Sequence, residues 1–154
     1  MKILLAVDGS GFSDAATQAL ISQVHKEGAE VLVLRIVEPV IFAIPPQMAA
    51  GYAPEQEEII KEERQHAQES VKQTTQTLRA AGFNVTSRVV EAEARNGILD
   101  VAAEWHADLI VLGSHGRKGL QRFLLGSVAE HVARHADCSV EIVRVPDKRS
   151  GSKA

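Results

Sequence analysis

Five short runs rich in apolar and β-branched residues constrain the fold of this chain more than any other feature. Such runs are typical of strands that helices cover on both faces, because a strand with one solvated face alternates apolar and polar residues. Segments with helical spacing separate the runs. The predicted strands are residues 3–7, 31–37, 83–90, 109–112 and 140–145. This order predicts a three-layer α/β domain with a parallel sheet.

The four segments between the strands predict helices. The first stops near Gly28, and the long second one starts at Pro54, since proline and the acidic residues after it (EQEE) suit a first turn. Gly82 ends the second helix. The predicted inward-facing residues are Ala15, Ala16, Ala19, Leu20 and Val24, then Ile60, Ala67, Val71 and Leu78, then Ile98, Val101, Ala102 and Trp105, then Val128, Ala129 and Val132.

The length of 154 residues, 45% of them apolar, fits one globular domain. We place this domain at residues 1–146 and a flexible C-terminal tail at 147–154, because the tail lacks apolar content. The loop from Glu38 to Tyr52 carries three prolines and is long enough to be functional or mobile rather than structural.

Charge and composition exclude several classes of protein. The net charge of −3 and the aromatic content of 4% argue against a nucleic-acid-binding protein. No apolar run reaches the about 18 residues of a membrane span, and the first run is too short for a signal peptide. The single cysteine, Cys138, excludes an intrachain disulfide framework and is expected to be a small buried apolar residue. We therefore expect a cytoplasmic protein with neither a nucleic-acid nor a membrane partner.

Three glycines after the fourth strand indicate a phosphate site. Gly113, Gly116 and Gly126 have the spacing G-x2-G-x9-G, and Ser127 follows directly. Missing side chains at the end of a strand let an anionic ligand approach backbone N–H groups, and the N-terminus of the fourth helix favours phosphate. The alternative is that the glycines only form a tight strand-to-helix connection. The charged residues between them (Arg117, Lys118, Arg122) could neutralise a polyphosphate or simply be solvated.

Asp8 ends the first predicted strand. If the strand order is 3-2-1-4-5, the order reverses between the first and fourth strands, and Asp8 and Gly113 face the same crevice. Open α/β sheets bind ligands at such a reversal, where a carboxylate can accept hydrogen bonds from ribose hydroxyls. Alternatively, Asp8 caps the helix that follows it.

The sequence resembles the universal stress protein family, of the UspA-domain type and its ATP-binding branch. The likeness rests on ILLAVDGS at 3–10, VLVLRIVEP at 31–39 and ADLIVLGSHGRKGLQRFLLGSVAEHVARHADCSVEIVRV at 107–145, with the complete glycine signature. It implies an open five-stranded parallel sheet of order 3-2-1-4-5 with helices on both faces, a Rossmann-like fold of the adenine nucleotide alpha hydrolase type. It also implies a part in stress survival and a homodimer through the C-terminal edge strand.

The same resemblance implies the ligand and its contacts. The ligand is ATP, or AMP or ADP, with Mg²⁺ as an optional companion, bound at the ends of the first and fourth strands. The residues implied are Asp8 for the ribose, Ile36 for adenine, Gly113 and Gly116 for ribose and phosphates, Gly126 and Ser127 for phosphates, and Val128 through its backbone.

The sequence thus indicates a nucleotide-dependent regulatory module. A slow ATP hydrolase or phosphotransferase is one alternative, although Asp8, Asp14 and His115 form no recognised catalytic arrangement. A dimeric interaction protein that binds no nucleotide is another, against which the intact glycine signature argues. We therefore predict no catalytic residue. We also predict no metal site, because His131 and His135 lack the internal glutamate of H-E-x-x-H.

Two departures from the family pattern stand out. Arg35 occupies a position where the family often has histidine. Glu141 and Arg144 bring charge to the last strand, where they either form ion pairs across a dimer or protect the sheet edge from uncontrolled association.

Overall fold

The computed structural model describes residues 1–39, 49–117 and 124–145, and these residues form an alternating series of strands and helices. The strands form one parallel sheet of order β3-β2-β1-β4-β5, which confirms the fold class and the strand order. The elements are β1 (Lys2–Ala6), α1 (Gly11–Gln23), β2 (Glu30–Val37), α2 (Ala49–Ala80), β3 (Asn84–Glu91), α3 (Ala94–Trp105), β4 (Leu109–Gly113), α4 (Ser127–His135) and β5 (Ser139–Val143).

The central strands are buried on both faces, as their uninterrupted apolar runs predict. Side chains such as Ile3, Leu5 and Val33 are fully buried against α1 and α2. Their neighbours along the strands, such as Leu4 and Leu32, face α3 and α4. In the part of the chain that the structure describes, the two helical layers thus cover the central strands, while the strand ends and the edge strands stay accessible.

The inward-facing residues predicted for the helices largely lie in these two cores. Leu20 of α1, Leu78 of α2 and Val132 of α4 are fully buried, whereas Ile60 of α2 is half-buried. Trp105 is also half-buried, and it packs against the core on the α3 and α4 face.

The start of α2 differs from the prediction. The helix begins at Ala49 rather than at Pro54, so residues 49–52 belong to it and not to the predicted loop. Pro54 costs the helix the hydrogen bond to the carbonyl of residue 50, and the alanines before it have high helix propensity. Residues 40–48 of the predicted loop lie outside the described residues.

The last strand is shorter than its apolar run. The prediction extends β5 to residue 145, but the strand ends at Val143, which pairs with Gly113 at the end of β4. Its length is therefore set by its partner strand. The tail at 147–154 lies outside the described residues, so the domain boundary at residue 146 stays a prediction. Among the described residues, no helix is long and apolar enough to cross a bilayer.

Candidate functional site

Asp8 connects the end of β1 to the loop that follows β4. Its Oδ2 accepts a hydrogen bond from the amide of Arg117 (2.8 Å), and its Oδ1 accepts from the amide and the hydroxyl of Ser10 (2.9 and 2.5 Å). A Cβ added to Gly116 would lie 3.1 Å from Asp8 Oδ2. These contacts place Asp8 beside the start of the loop after β4, of which residues 114–117 are described and which we call the glycine loop. That Asp8 and Gly113 face one ligand crevice stays a prediction.

Asp8 is not the N-cap of α1. The N-cap is Ser10, whose side chain accepts a hydrogen bond from the amide of Ser13. Gly9 between them has φ +76°, a left-handed conformation that favours glycine. The alternative that Asp8 caps α1 is therefore wrong, because the chain turns at Gly9 and the Ser10 side chain bonds the first turn of the helix.

Two of the signature glycines are required by packing within the protein. A Cβ on Gly113 would lie 2.7 Å from the Cβ of Phe12 and 2.8 Å from its carbonyl carbon. A Cβ on Gly126 would lie 3.1 Å from the carbonyl oxygen of Ser114, which already accepts the Gly126 amide at 2.8 Å. The space predicted for a ligand at Gly113 is thus filled by Phe12, and the Gly126 amide is not a free donor. The tight-connection interpretation accounts for these two glycines, whose contact with a ligand stays a prediction.

The N-terminus of α4 exposes backbone amides at the end of the described part of the glycine signature. α4 begins at Ser127, which is exposed, and Gly126 as N-cap offers no side chain to its amides. The amides of Ser127, Val128 and Ala129 have no acceptor among the described residues. Together with the helix dipole, these amides form a site for negative charge. The Val128 side chain itself packs against the core, and contact between its backbone and a ligand stays a prediction.

Ile36 lies on the same side of the sheet as α4. It is half-buried near the end of β2, and its Cδ1 is 3.1 Å from the position of a Cβ on Gly97 of α3. Side chains alternate along a strand, and the neighbouring Arg35 accordingly contacts α2 on the other face. Contact between Ile36 and adenine stays a prediction.

Arg35, Glu63 and Arg117 form a network that borders the crevice. Glu63 Oε1 accepts hydrogen bonds from Arg35 Nη2 (3.3 Å) and from Arg117 Nη2 (2.8 Å). Arg35 also approaches the carbonyl of Val7 at 3.5 Å, while its Nε has no partner in the part of the chain described. Burial lowers the pKa of the Arg35 guanidinium, the charge of Arg117 lowers it further, and Asp8 and Glu63 oppose both effects.

A polar cleft of about 450 Å³ lies between α1 and α2 and reaches this network. Asp8, Arg35 and Arg117 line its end nearest the crevice. The remaining lining is rich in hydroxyl and amide side chains, including Thr17 and Ser70. A second groove, of about 470 Å³ between α2 and β3, contains none of the predicted site residues.

The histidines differ in their surroundings. His115 packs against the Phe12 ring (centroids 5.2 Å apart), and its Nδ1 lies 3.1 Å from Ser114 Oγ. The rings of His131 and His135 stack at 4.2 Å, and His135 Nδ1 bonds the carbonyl of His131. Among the described residues, no three histidine, cysteine or carboxylate side chains are grouped to hold a metal ion.

Cys138 packs against the apolar core on the α3 and α4 face, as a small apolar residue would. It is half-buried rather than fully buried. Burial raises the pKa of its thiol.

Glu63 is the site residue that the sequence does not reveal. It lies among several acidic residues on the exposed part of α2, and nothing in the local pattern distinguishes it from them. Arg35 gives a weak signal, a cation inside an otherwise apolar strand. Lys118 and Arg122, the other cations predicted near the phosphates, lie outside the described residues.

Comparison with known proteins identifies relatives over nearly the whole chain. The model of the universal stress protein family matches residues 1–144. A universal stress protein of Methanocaldococcus jannaschii is 36% identical over 147 residues, which cover 96% of this chain and 84% of that protein. The solved universal stress protein UspA from Lactobacillus plantarum is 26% identical, with a TM-score of 0.80 over 94% of this chain and 97% of the other.

A solved structure with a bound nucleotide shares the fold as well. The universal stress protein from Archaeoglobus fulgidus in complex with dAMP is 23% identical, with a TM-score of 0.66 over 92% of this chain and 96% of the other. At that identity the likeness establishes the common fold.

Proposed function

Because this chain belongs to the universal stress protein family, we propose that it binds an adenine nucleotide between the ends of β1 and β4 and acts as a nucleotide-dependent regulatory module in the stress response. One observation carries the proposal: the hydrogen bond from the Arg117 amide to Asp8 brings a carboxylate and the glycine loop together at the crevice. This is the point where the strand order reverses, and open α/β sheets bind ligands there.

Asp8 retains the capacity to receive a ribose hydroxyl. An ionised carboxylate offers about four acceptor positions, and the described residues use three of them at Asp8. These three bonds also fix the orientation of the carboxylate before the ligand arrives. Preorganisation of this kind lowers the entropic cost of binding.

The phosphates belong at the N-terminus of α4, where Ser127 adds a hydroxyl donor to the helix amides. Adenine belongs against Ile36, on the side of the sheet that also holds α4. ATP, ADP and AMP all fit this division, and Mg²⁺ can accompany the phosphates of ATP. The dAMP complex of the Archaeoglobus fulgidus protein supports an adenine nucleotide as the ligand of this fold.

We expect binding without efficient turnover. Hydrolysis of ATP needs a group that positions or deprotonates the attacking water beside the terminal phosphate. Asp8 is committed to Ser10 and Arg117 through both of its oxygens, which suits an orienting role better than that of a general base.

The module is expected to act in the cytoplasm as a homodimer paired through β5, an edge strand of the sheet.

Calorimetric titration of nucleotide-free protein with ATP, AMP and GTP tests the proposal. We expect saturable binding of both adenine nucleotides, and the GTP titration measures selectivity for the base. Phosphate release in the same samples should stay below one turnover per chain. Absence of binding with every nucleotide would contradict the proposal, and sustained turnover would indicate the slow hydrolase instead.

Gly116→Val tests the role of Gly116 in binding. Its Cβ would lie 3.1 Å from Asp8 Oδ2, and the added methyl groups would occupy the approach to the glycine loop. We expect ATP affinity to fall at least about tenfold, the equivalent of about 1.4 kcal/mol, with the melting temperature nearly unchanged. Gly11→Val is the control, because a Cβ on Gly11 meets nothing within 4 Å. Equal affinities of the two variants would remove Gly116 from the site.

A further inference from the structure

A single carboxylate oxygen holds two guanidinium groups beside the nucleotide crevice. Glu63 Oε1 accepts from Arg117 at 2.8 Å and from Arg35 at 3.3 Å. Glu63 belongs to α2, Arg35 to β2 and Arg117 to the glycine loop. The carboxylate thus ties the loop to a helix on the opposite face of the sheet from α4.

The two arginines differ in their freedom to leave Glu63. The Arg35 side chain is 5% exposed, whereas that of Arg117 is 52% exposed. A half-exposed ion pair is weak and easily exchanged, but a buried cation needs its partner. If Arg117 leaves, Glu63 keeps Arg35 and no unpaired charge is buried. The charge of Arg117 repels that of Arg35 and lowers the pKa of the Arg35 guanidinium. Departure of Arg117 therefore removes a repulsion between the two cations.

The backbone of Arg117 is held at the crevice by Asp8. Its amide donates to Asp8 at 2.8 Å, and Gly116 precedes it directly. A rotation of the side chain alone can therefore redirect the guanidinium from α2 towards the crevice. Guanidinium groups bind phosphate through two parallel hydrogen bonds, a stronger contact than an exposed pair with a carboxylate.

We propose that Arg117 selects nucleoside triphosphates over monophosphates by exchanging Glu63 for the added phosphate groups. The inference rests on the proposed nucleotide site. In AMP the single phosphate group is satisfied by the N-terminus of α4, and Arg117 stays on Glu63. In ATP the longer and more highly charged phosphate chain draws the guanidinium away, so that triphosphate binding breaks the contact between the glycine loop and α2.

Titration of Arg117→Gln with ATP and with AMP is the first test. We expect the affinity for ATP to fall about tenfold and that for AMP to change less than about twofold, since only the triphosphate recruits the guanidinium. Arg134→Gln is the control for net charge: Arg134 is an exposed residue of α4 whose guanidinium pairs with Glu130 at 2.8 Å. Equal losses for ATP and AMP, or no loss for ATP, would overturn the inference.

Glu63→Gln tests the competition. Removing the charge that retains Arg117 should raise ATP affinity about two- to fivefold, the range of an exposed ion pair, and leave AMP affinity unchanged. In the double variant with Arg117→Gln this gain should vanish. A gain that persists without Arg117 would refute the exchange. If Glu63→Gln unfolds because Arg35 loses its charged partner, the Arg117→Gln titrations alone decide.

Different results would overturn the nucleotide site and the role of Arg117. Wild-type protein that binds neither ATP nor AMP would overturn the nucleotide site itself. Wild-type protein that binds both, with an Arg117→Gln variant that retains the ratio of the two affinities, would overturn only the role of Arg117.

Discussion

Asp8 is the residue on which the geometry of the crevice depends. It receives Ser10 on one oxygen and Arg117 on the other, so one side chain fixes both the turn into α1 and the loop after β4. Gly116 packs closely against this carboxylate, and a side chain at this position would press on Oδ2. The carboxylate therefore orders the protein around the site and still has acceptor capacity for a ligand.

Gly113→Ala should destabilise the fold by about 1–3 kcal/mol, the usual cost of overpacking. The new methyl group would lie 2.7 Å from Phe12 Cβ and 2.9 Å from the Phe12 carbonyl oxygen, so α1 would have to move away from β4. Urea denaturation measures the change in the free energy of unfolding. Gly11→Ala is the control, because its Cβ has open space and alanine favours a helix more than glycine does. A neutral effect at Gly113 would mean that α1 shifts freely.

The start of α1 connects helix stability to the site. Ser10 accepts from the Ser13 amide as the N-cap and donates its hydroxyl to Asp8, so the end of the helix and the carboxylate hold each other in place. A disturbance of the cap is therefore expected to reach the crevice.

Ser10→Ala should lower the free energy of unfolding by about 1 kcal/mol, as the loss of a helix cap does. It should also weaken ATP binding, because Asp8 loses one of the bonds that orient it. Thermal melts and calorimetry measure the two effects. Ser22→Ala near the end of the same helix removes a hydroxyl bonded to the Ala19 carbonyl, and it should change neither quantity appreciably. Equal behaviour of the two variants would contradict the coupling.

Local sequence patterns predict the elements well where burial governs them. Apolar runs locate the buried central strands, and apolar spacing locates the buried faces of the helices, whereas the edge strand β3 is largely exposed. The start of α2 is the exception: proline predicts a first turn at residue 54, but the helix begins at Ala49 and continues through the proline at the loss of one hydrogen bond. Helix ends depend on contacts that spacing alone does not contain.

At the scale of the whole molecule, the strand order determines what the sequence could predict of the site. Asp8 and Gly116 are distant in sequence, and the reversal between β1 and β4 brings them together, as the resemblance implies. Glu63 could not be predicted, because its position depends on how α2 crosses the sheet. The packing of Phe12 against Gly113 could not be predicted either, because it depends on how α1 lies against β4.

The proposed homodimer gives the last prediction. β5 is an edge strand that carries Glu141, and Arg144 follows it, so two copies paired at this edge can exchange ion pairs between these residues. Because each pair occurs twice in a twofold dimer, Glu141→Lys should weaken association about tenfold, and the charge swap Glu141→Lys with Arg144→Glu should restore it. Light scattering after gel filtration over a range of protein concentrations measures the dissociation constant. If Glu141 instead protects an unpaired edge, the single variant will associate more strongly or form larger species, and the swap will not restore a dimer.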